Sequence, residues 1–109
     1  MKIVEVDELK SMMDNKEDFV LIDTRSHDEY DREHLPGALS VPSDNVGRDM
    51  EKDYDHEARI VTYCKDTACE SSVIAARKLE RYGFKNVMEF RGGIAVWKNR
   101  KYPTITKGH

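Results

Sequence analysis

Residues 60–83, with the sequence IVTYCKDTACESSVIAARKLERYG, contain the pattern that decides the fold. The first four of them predict a strand that ends at Cys64. After a polar loop, a helix is predicted to begin seven residues beyond Cys64, with Ser71 or Ser72 as its N-cap and Gly83 as its C′ glycine. The predicted apolar face of this helix consists of Val73, Ala76, Leu79 and Tyr82, with Ile74 beside it.

The same alternation of strands and helices extends over the rest of the chain. Residues 19–22 form a continuous apolar run, which is typical of a strand buried on both faces. Residues 87–90 predict a further strand. Helices are predicted before the first of these strands, with Asp7 as the N-cap, and after the last, where Gly92-Gly93 opens a short helix. Because strands alternate with helices, the sequence predicts a parallel sheet covered on both faces.

The composition limits the classes of function. The length matches a single α/β domain, which we assign to residues 1–109. The formal net charge of −3 comes from charges of both signs mixed along the chain, so the basic stripe of a nucleic-acid binder is missing. No stretch approaches the ~20 apolar residues of a membrane span, and the acidic N-terminus does not resemble a signal peptide. We therefore expect a cytoplasmic protein with two reduced thiols and no nucleic-acid or membrane partner.

The loop after Cys64 indicates cysteine chemistry. Ligand sites in parallel sheets lie beyond the carboxyl ends of strands. The N–H groups and dipole of a following helix lower the pKa of a thiol and favour its reactive thiolate. Lys65 adds a positive charge beside the thiol, whereas Asp66 and Glu70 act in the opposite direction. From the residues alone, a buried core cysteine remains an alternative, and cysteine phosphatases and arsenate reductases use a similar strand, loop and helix.

Cys69 is a candidate second thiol five residues from Cys64. In a flexible loop this separation allows the two sulfurs to meet, so oxidation is predicted to give an intramolecular disulfide. The alternative is an incidental small residue packed under the loop. A zinc site with His34 or His56 would need a second ligand pair, which the sequence lacks, and no metal is expected.

Several segments, taken in order, resemble the rhodanese family. They cover nearly the whole chain and consist of residues 21–25 with 29–30 (LIDTR and EY), 33–38 (EHLPGA), 63–64 (YC) with Ser72 and 75–76, 83–87 (GFKNV), and 92–97 (GGIAVW).

The resemblance implies a three-layer α/β/α fold around a five-stranded, mainly parallel sheet. It also implies a sulfurtransferase in which Cys64 attacks a sulfane sulfur donor, holds the sulfur as a persulfide and passes it to a thiophilic acceptor. No cofactor is implied. The expected partners are small sulfur donors and thiol acceptors, with a sulfur-accepting protein as a further candidate.

The cysteine loop departs from the family pattern. It is two residues longer, and Ser71 stands where the family has an arginine. The predicted substrate-binding loop comprises Lys65, Asp66, Thr67, Ala68, Glu70, Ser71 and Ser72, with Asp23, Arg25 and Arg91 as supporting residues. Without a guanidinium fork to bind a dianion, we expect thiosulfate to be a poor donor.

Two alternatives to a sulfurtransferase stay open at this point. One is a thiol redox protein that uses Cys64 and Cys69 as a pair. The other is a non-catalytic binding module with the rhodanese fold, which the missing arginine leaves open and the retained cysteine disfavours.

Overall fold

A five-stranded parallel sheet forms the centre of the computed structural model, which describes residues 1–107. The strands are β1 (Lys2–Ile3), β2 (Val20–Asp23), β3 (Glu33–His34), β4 (Leu39–Ser40), β5 (Arg59–Tyr63), β6 (Asn86–Phe90) and β7 (Ile105–Thr106). The helices are α1 (Val6–Asp14), α2 (His27–Arg32), α3 (Arg48–Asp53), α4 (Ser71–Arg81) and α5 (Gly93–Asn99), with a 3-10 turn at Ser43–Asn45. The sheet order is β1-β6-β5-β2-β4, while β3 and β7 form a separate antiparallel pair.

Helices cover both faces of the sheet, as the sequence predicts. Side chains alternate along the strands, so Val61 and Tyr63 of β5 face one layer and Ile60 faces the other. The first layer contains α1 and α5, whose Trp97 is completely buried. The second contains α3 and α4. The predicted three-layer α/β/α class is therefore confirmed.

Three details of the predicted helices are wrong, namely the N-cap of α1, the N-cap of α4 and part of the apolar face of α4. Helix α1 begins one residue before Asp7, with Glu5 as its N-cap. Helix α4 has Glu70 as its N-cap, and neither Ser71 nor Ser72 caps it with a side chain. The buried face of α4 consists of Ser72, Ala75, Ala76 and Leu79, whereas Ile74 and Tyr82 are exposed. This face of α4 is the buried one because the small side chains of Ala75 and Ala76 let the helix lie close to the strands.

No helix within the described part of the chain combines the length and apolar character needed to cross a bilayer.

Candidate active site

Cys64 directly follows β5, and the loop that it begins is fixed at its start by α5. The N–H of Ile94 donates to the carbonyl of Cys64 at 3.1 Å, and that of Ala95 donates to the carbonyl of Lys65 at 2.9 Å. This close approach requires Gly93, because a Cβ there would lie 2.6 Å from the carbonyl oxygen of Cys64. The backbone before the loop is therefore held by two hydrogen bonds and by a glycine contact.

Cys64 and Cys69 are joined in a disulfide, with their Cα atoms 6.3 Å apart. A turn at Asp66 directs the chain back toward Cys64. The side chain of Asp66 accepts from the N–H of Ala68 at 3.0 Å, and its carbonyl accepts from the N–H of Cys69 at 3.2 Å. The pairing is the one predicted for the oxidised protein, and the structure differs from the expected state with two reduced thiols. In this state Cys64 is only 2% exposed.

A cavity of about 350 Å³ lies beside the disulfide. Its walls consist of Thr24, Arg25, Ser26, Glu29, Pro42, Ser43, Asp44, Cys64, Lys65, Cys69 and Ser71. These residues come together because β4, β2 and β5 are neighbours whose carboxyl ends meet at one edge of the sheet. Five residues of the predicted site share this cavity, namely Arg25, Cys64, Lys65, Cys69 and Ser71.

Other residues of the predicted site lie elsewhere. Ser72 is buried in the first turn of α4 and does not line the cavity. Thr67 and Arg91 line a different cavity of about 300 Å³, next to β1. Asp66, Ala68 and Glu70 belong to the loop but to neither cavity wall.

The guanidinium of Arg25 is not free to bind an anion, because it is already paired within the protein. Its guanidinium contacts both carboxylate oxygens of the buried Asp23, with Nη2 at 2.7 Å from Oδ2, and it also donates to the carbonyl of Glu33 at 2.6 Å. Burial lowers the pKa of Arg25, but the hydrogen bond and charge of Asp23 outweigh it, and the net shift is upward. Asp23 and Arg25, which were expected as supporting residues, therefore form an ion pair that fixes the chain just before α2.

Tyr63 extends this network to the residue before Cys64. Its hydroxyl donates to Oδ2 of Asp23 at 2.8 Å and accepts from the N–H of Leu35 at 3.1 Å. Burial raises the pKa of Tyr63 far above its ordinary value, so the hydroxyl stays protonated. The buried network thus joins β2, β5 and the turn after β3.

A buried carboxylate that sequence analysis missed holds the start of α4. Glu89 is 1% exposed, accepts from the Ser72 hydroxyl at 2.8 Å and receives two hydrogen bonds from Arg91 on its other oxygen. Ser72 also accepts, through its carbonyl, from the hydroxyl of Thr62 at 2.9 Å. Ser72 and Arg91 therefore position the framework around the loop.

Further residues of the cavity wall were not predicted from the sequence. Ser43 and Asp44 follow β4, and Glu29 lies in α2, where it forms a capping box with Ser26. No local signal identifies Ser43 and Asp44, because their position at the cavity depends on β4 lying next to β2 in the sheet.

The zinc alternative gains no support from the described side chains, those of residues 1–47 and 50–107. No group of three or more histidine, cysteine or acidic side chains among them is arranged to hold a metal. His34 instead stacks on Tyr30 and contacts its carbonyl through Nδ1 at 2.8 Å.

Comparison with known proteins agrees with this architecture. The family model described as a rhodanese-like domain matches residues 5–100. The chain belongs to the rhodanese-like family. This rhodanese-like chain is 35% identical over 83 residues to the thiosulfate sulfurtransferase GlpE of Coxiella burnetii, a match that covers 76% of the chain and 75% of GlpE.

Two further similarities extend the comparison. A tRNA uridine(34) hydroxylase of Yersinia enterocolitica is 33% identical over 103 residues, which cover 89% of this rhodanese-like chain but only 28% of the hydroxylase. Among solved structures, the BH2092 protein of Bacillus halodurans superposes with a TM-score of 0.90 at 28% identity, covering 96% of this chain and 77% of that protein.

Proposed function

We propose that this chain is a sulfurtransferase that carries sulfane sulfur as a persulfide on Cys64 and passes it to a thiol acceptor. The observation that carries the proposal is the position of Cys64, at the end of a central parallel strand and on the wall of a cavity, in a chain of the rhodanese-like family. The name of the relative GlpE supports sulfur transfer as the reaction class.

The start of α4 supports an ionised sulfur in this cavity. Ser71, the first residue of the helix, lines the cavity together with Cys64. The first N–H groups of a helix have no partner within it, and its dipole favours a negative charge. The reduced Cys64 thiolate would attack the outer sulfur of a persulfide donor, and the donor thiolate would leave.

The charges around the cavity favour a small persulfide over thiosulfate as the donor. Glu29 and Asp44 oppose the positive charge of Lys65, while Arg25 is already paired with Asp23. Among the described side chains of the cavity wall, a thiosulfate dianion therefore meets no uncommitted guanidinium and no excess of positive charge. The natural acceptor in this proposal is a small thiol or a sulfur-accepting protein in a reducing compartment such as the cytoplasm.

The disulfide favours one alternative, a thiol redox protein that cycles between the dithiol and the Cys64–Cys69 pair. Such a protein would oxidise or reduce other thiols without acquiring sulfur. A non-catalytic binding module would do neither.

Sulfur loading separates these functions. The Cys69→Ser variant, which keeps Cys64 as its sole thiol, is incubated with cysteine persulfide, polysulfide or thiosulfate and then analysed by intact mass and peptide mapping. We expect one added sulfur on Cys64, acquired fastest from cysteine persulfide and lost when a small thiol or cyanide is added. The double variant Cys64→Ser/Cys69→Ser, which has no thiol, is the matched control and should remain unmodified. Absence of added sulfur with every donor would exclude the sulfurtransferase.

A further inference from the structure

We propose that Cys69 resolves the persulfide on Cys64, so that this site releases its sulfur reductively as hydrogen sulfide and closes into the disulfide. This inference rests on the proposed function, because it requires a persulfide on Cys64. It adds the fate of the sulfur and the class of partner that restores the site, a dithiol reductant.

The geometry of the loop supports direct attack by Cys69. The disulfide means that the Sγ of Cys69 reaches bonding distance of the Sγ of Cys64 while the rest of the fold is intact. The turn at Asp66 holds Cys69 in this orientation through the hydrogen bonds to Ala68 and Cys69. In a persulfide, the inner sulfur is the same Sγ of Cys64.

The step balances in atoms and electrons. The Cys69 thiolate attacks the inner sulfur of the Cys64 persulfide, the new sulfur–sulfur bond forms, and the bond to the outer sulfur breaks. The outer sulfur leaves as hydrosulfide and takes a proton to become hydrogen sulfide. Two thiol sulfurs are oxidised to the disulfide while the sulfane sulfur is reduced by two electrons to sulfide.

The disulfide also prevents a second loading. Cys64 is 2% exposed in this state, and its sulfur has no free thiolate to attack a donor. Cys69 is more accessible than Cys64, so an external dithiol meets it first. Exchange at Cys69 gives a mixed disulfide and frees the Cys64 thiolate, and the second thiol of the reductant then releases Cys69. Each turnover therefore consumes one dithiol and one persulfide.

A single-turnover experiment tests the inference on the reduced full chain. The wild-type protein, Cys69→Ser and Cys64→Ser are each mixed with a stoichiometric amount of cysteine persulfide, freed of unreacted donor, and sampled over time. Hydrogen sulfide, free thiols and intact mass are measured in each sample. The wild type should release about one sulfide per chain and lose both thiols to an intramolecular disulfide, while Cys69→Ser retains the added sulfur and Cys64→Ser does neither.

The outcomes distinguish failure of the proposed sulfurtransferase from failure of resolution by Cys69. If Cys69→Ser gains no sulfur, the proposed function fails. If Cys69→Ser gains sulfur but the wild type also retains it, without releasing sulfide or forming the disulfide, resolution by Cys69 is wrong and the sulfurtransferase stands. Added sulfur that maps to Cys69 in the wild type also overturns resolution, because it means that Cys69 attacked the outer sulfur and acted as an acceptor.

Discussion

The backbone of Gly93 lies directly against the carbonyl of Cys64, in a left-handed conformation with φ of 67°. A Cβ at this position would lie 2.6 Å from that oxygen and 2.7 Å from the carbonyl carbon of Lys65. The two residues belong to different elements, and their contact sets where the cysteine loop leaves the sheet. Because both neighbouring groups are backbone, neither can move aside without shifting the loop.

Gly93→Ala is expected to destabilise the protein more than a glycine substitution that introduces backbone strain alone. Left-handed backbone costs an alanine about 1–2 kcal/mol, and the contact with Cys64 adds to that cost. Gly37→Ala is the matched control, because Gly37 has φ of 80° and nothing within 4 Å of the added Cβ. Urea unfolding of both variants measures the difference. Equal losses would mean that the Gly93 contact contributes nothing beyond strain.

Asp23→Ala should cost about 3–5 kcal/mol of unfolding free energy, because it leaves the buried guanidinium of Arg25 without its partner. The side chains of Asp23 and Arg25 are 0% and 8% exposed. Asp14→Ala serves as the comparison, since its pair with Lys10 is on the surface and should contribute less than about 1 kcal/mol. Chemical denaturation gives both values, and similar losses for the two variants would contradict the role of the buried pair.

Protonation of Glu33 should contribute to the decrease in unfolding free energy at acidic pH. The hydrogen bonds from Lys98, at 2.7 Å, and Thr104, at 2.6 Å, lower its pKa, with Lys98 as the larger cause. A carboxyl with a lowered folded-state pKa stabilises the fold above its unfolded pKa of about 4.3, and this stabilisation is lost as the pH falls through the folded value.

The variant Glu33→Gln isolates this effect. The difference in unfolding free energy between wild type and variant should be below about 1 kcal/mol at neutral pH, because the ion pair is partly solvated, and should shrink between about pH 5 and pH 3. Urea unfolding across this range measures it. A difference that is independent of pH would assign the effect to packing.

The elements that the sequence predicts best are those with a complete local signal. The apolar run at residues 19–22 lies within one residue of β2, and residues 60–63 lie within one residue of β5. Cys64 follows β5, as the spacing of strand and helix predicted. The Gly92-Gly93 pair likewise predicted the start of α5.

What could not be predicted depends on contacts between distant segments. In the alternation of β6, Glu89 has the local pattern of an exposed carboxylate, and its burial depends on Ser72, which is 17 residues away. Ser43 and Asp44 reach the cavity only because β4 lies next to β2 in the sheet order. Strand order is not encoded in any single stretch of the sequence.

Ser71→Arg is expected to raise the activity with thiosulfate by about ten- to a hundredfold in kcat/KM. Ser71 lines the cavity at the first position of α4, so an arginine there can present its guanidinium to the dianion. A charge-assisted hydrogen bond contributes about 1.5–3 kcal/mol. The assay uses the Cys69→Ser background, with Ser71→Gln as an uncharged control of similar reach. A similar gain from glutamine would show that charge is not the missing element.

Asp66→Ala should weaken the Cys64–Cys69 disulfide, whereas Asp66→Asn should not. The N–H of Ala68 donates to Oδ1 of Asp66, and this hydrogen bond forms the turn that brings Cys69 back toward Cys64. Asparagine keeps an oxygen acceptor at that position, but alanine has none. The hydrogen bond is worth about 1 kcal/mol, so its loss should lower the equilibrium constant for disulfide formation about fivefold. Equilibration of each protein in glutathione buffers, followed by thiol alkylation and mass analysis, gives that constant. Equal constants for alanine and asparagine would mean that the loop brings the two sulfurs together without the Asp66 side chain.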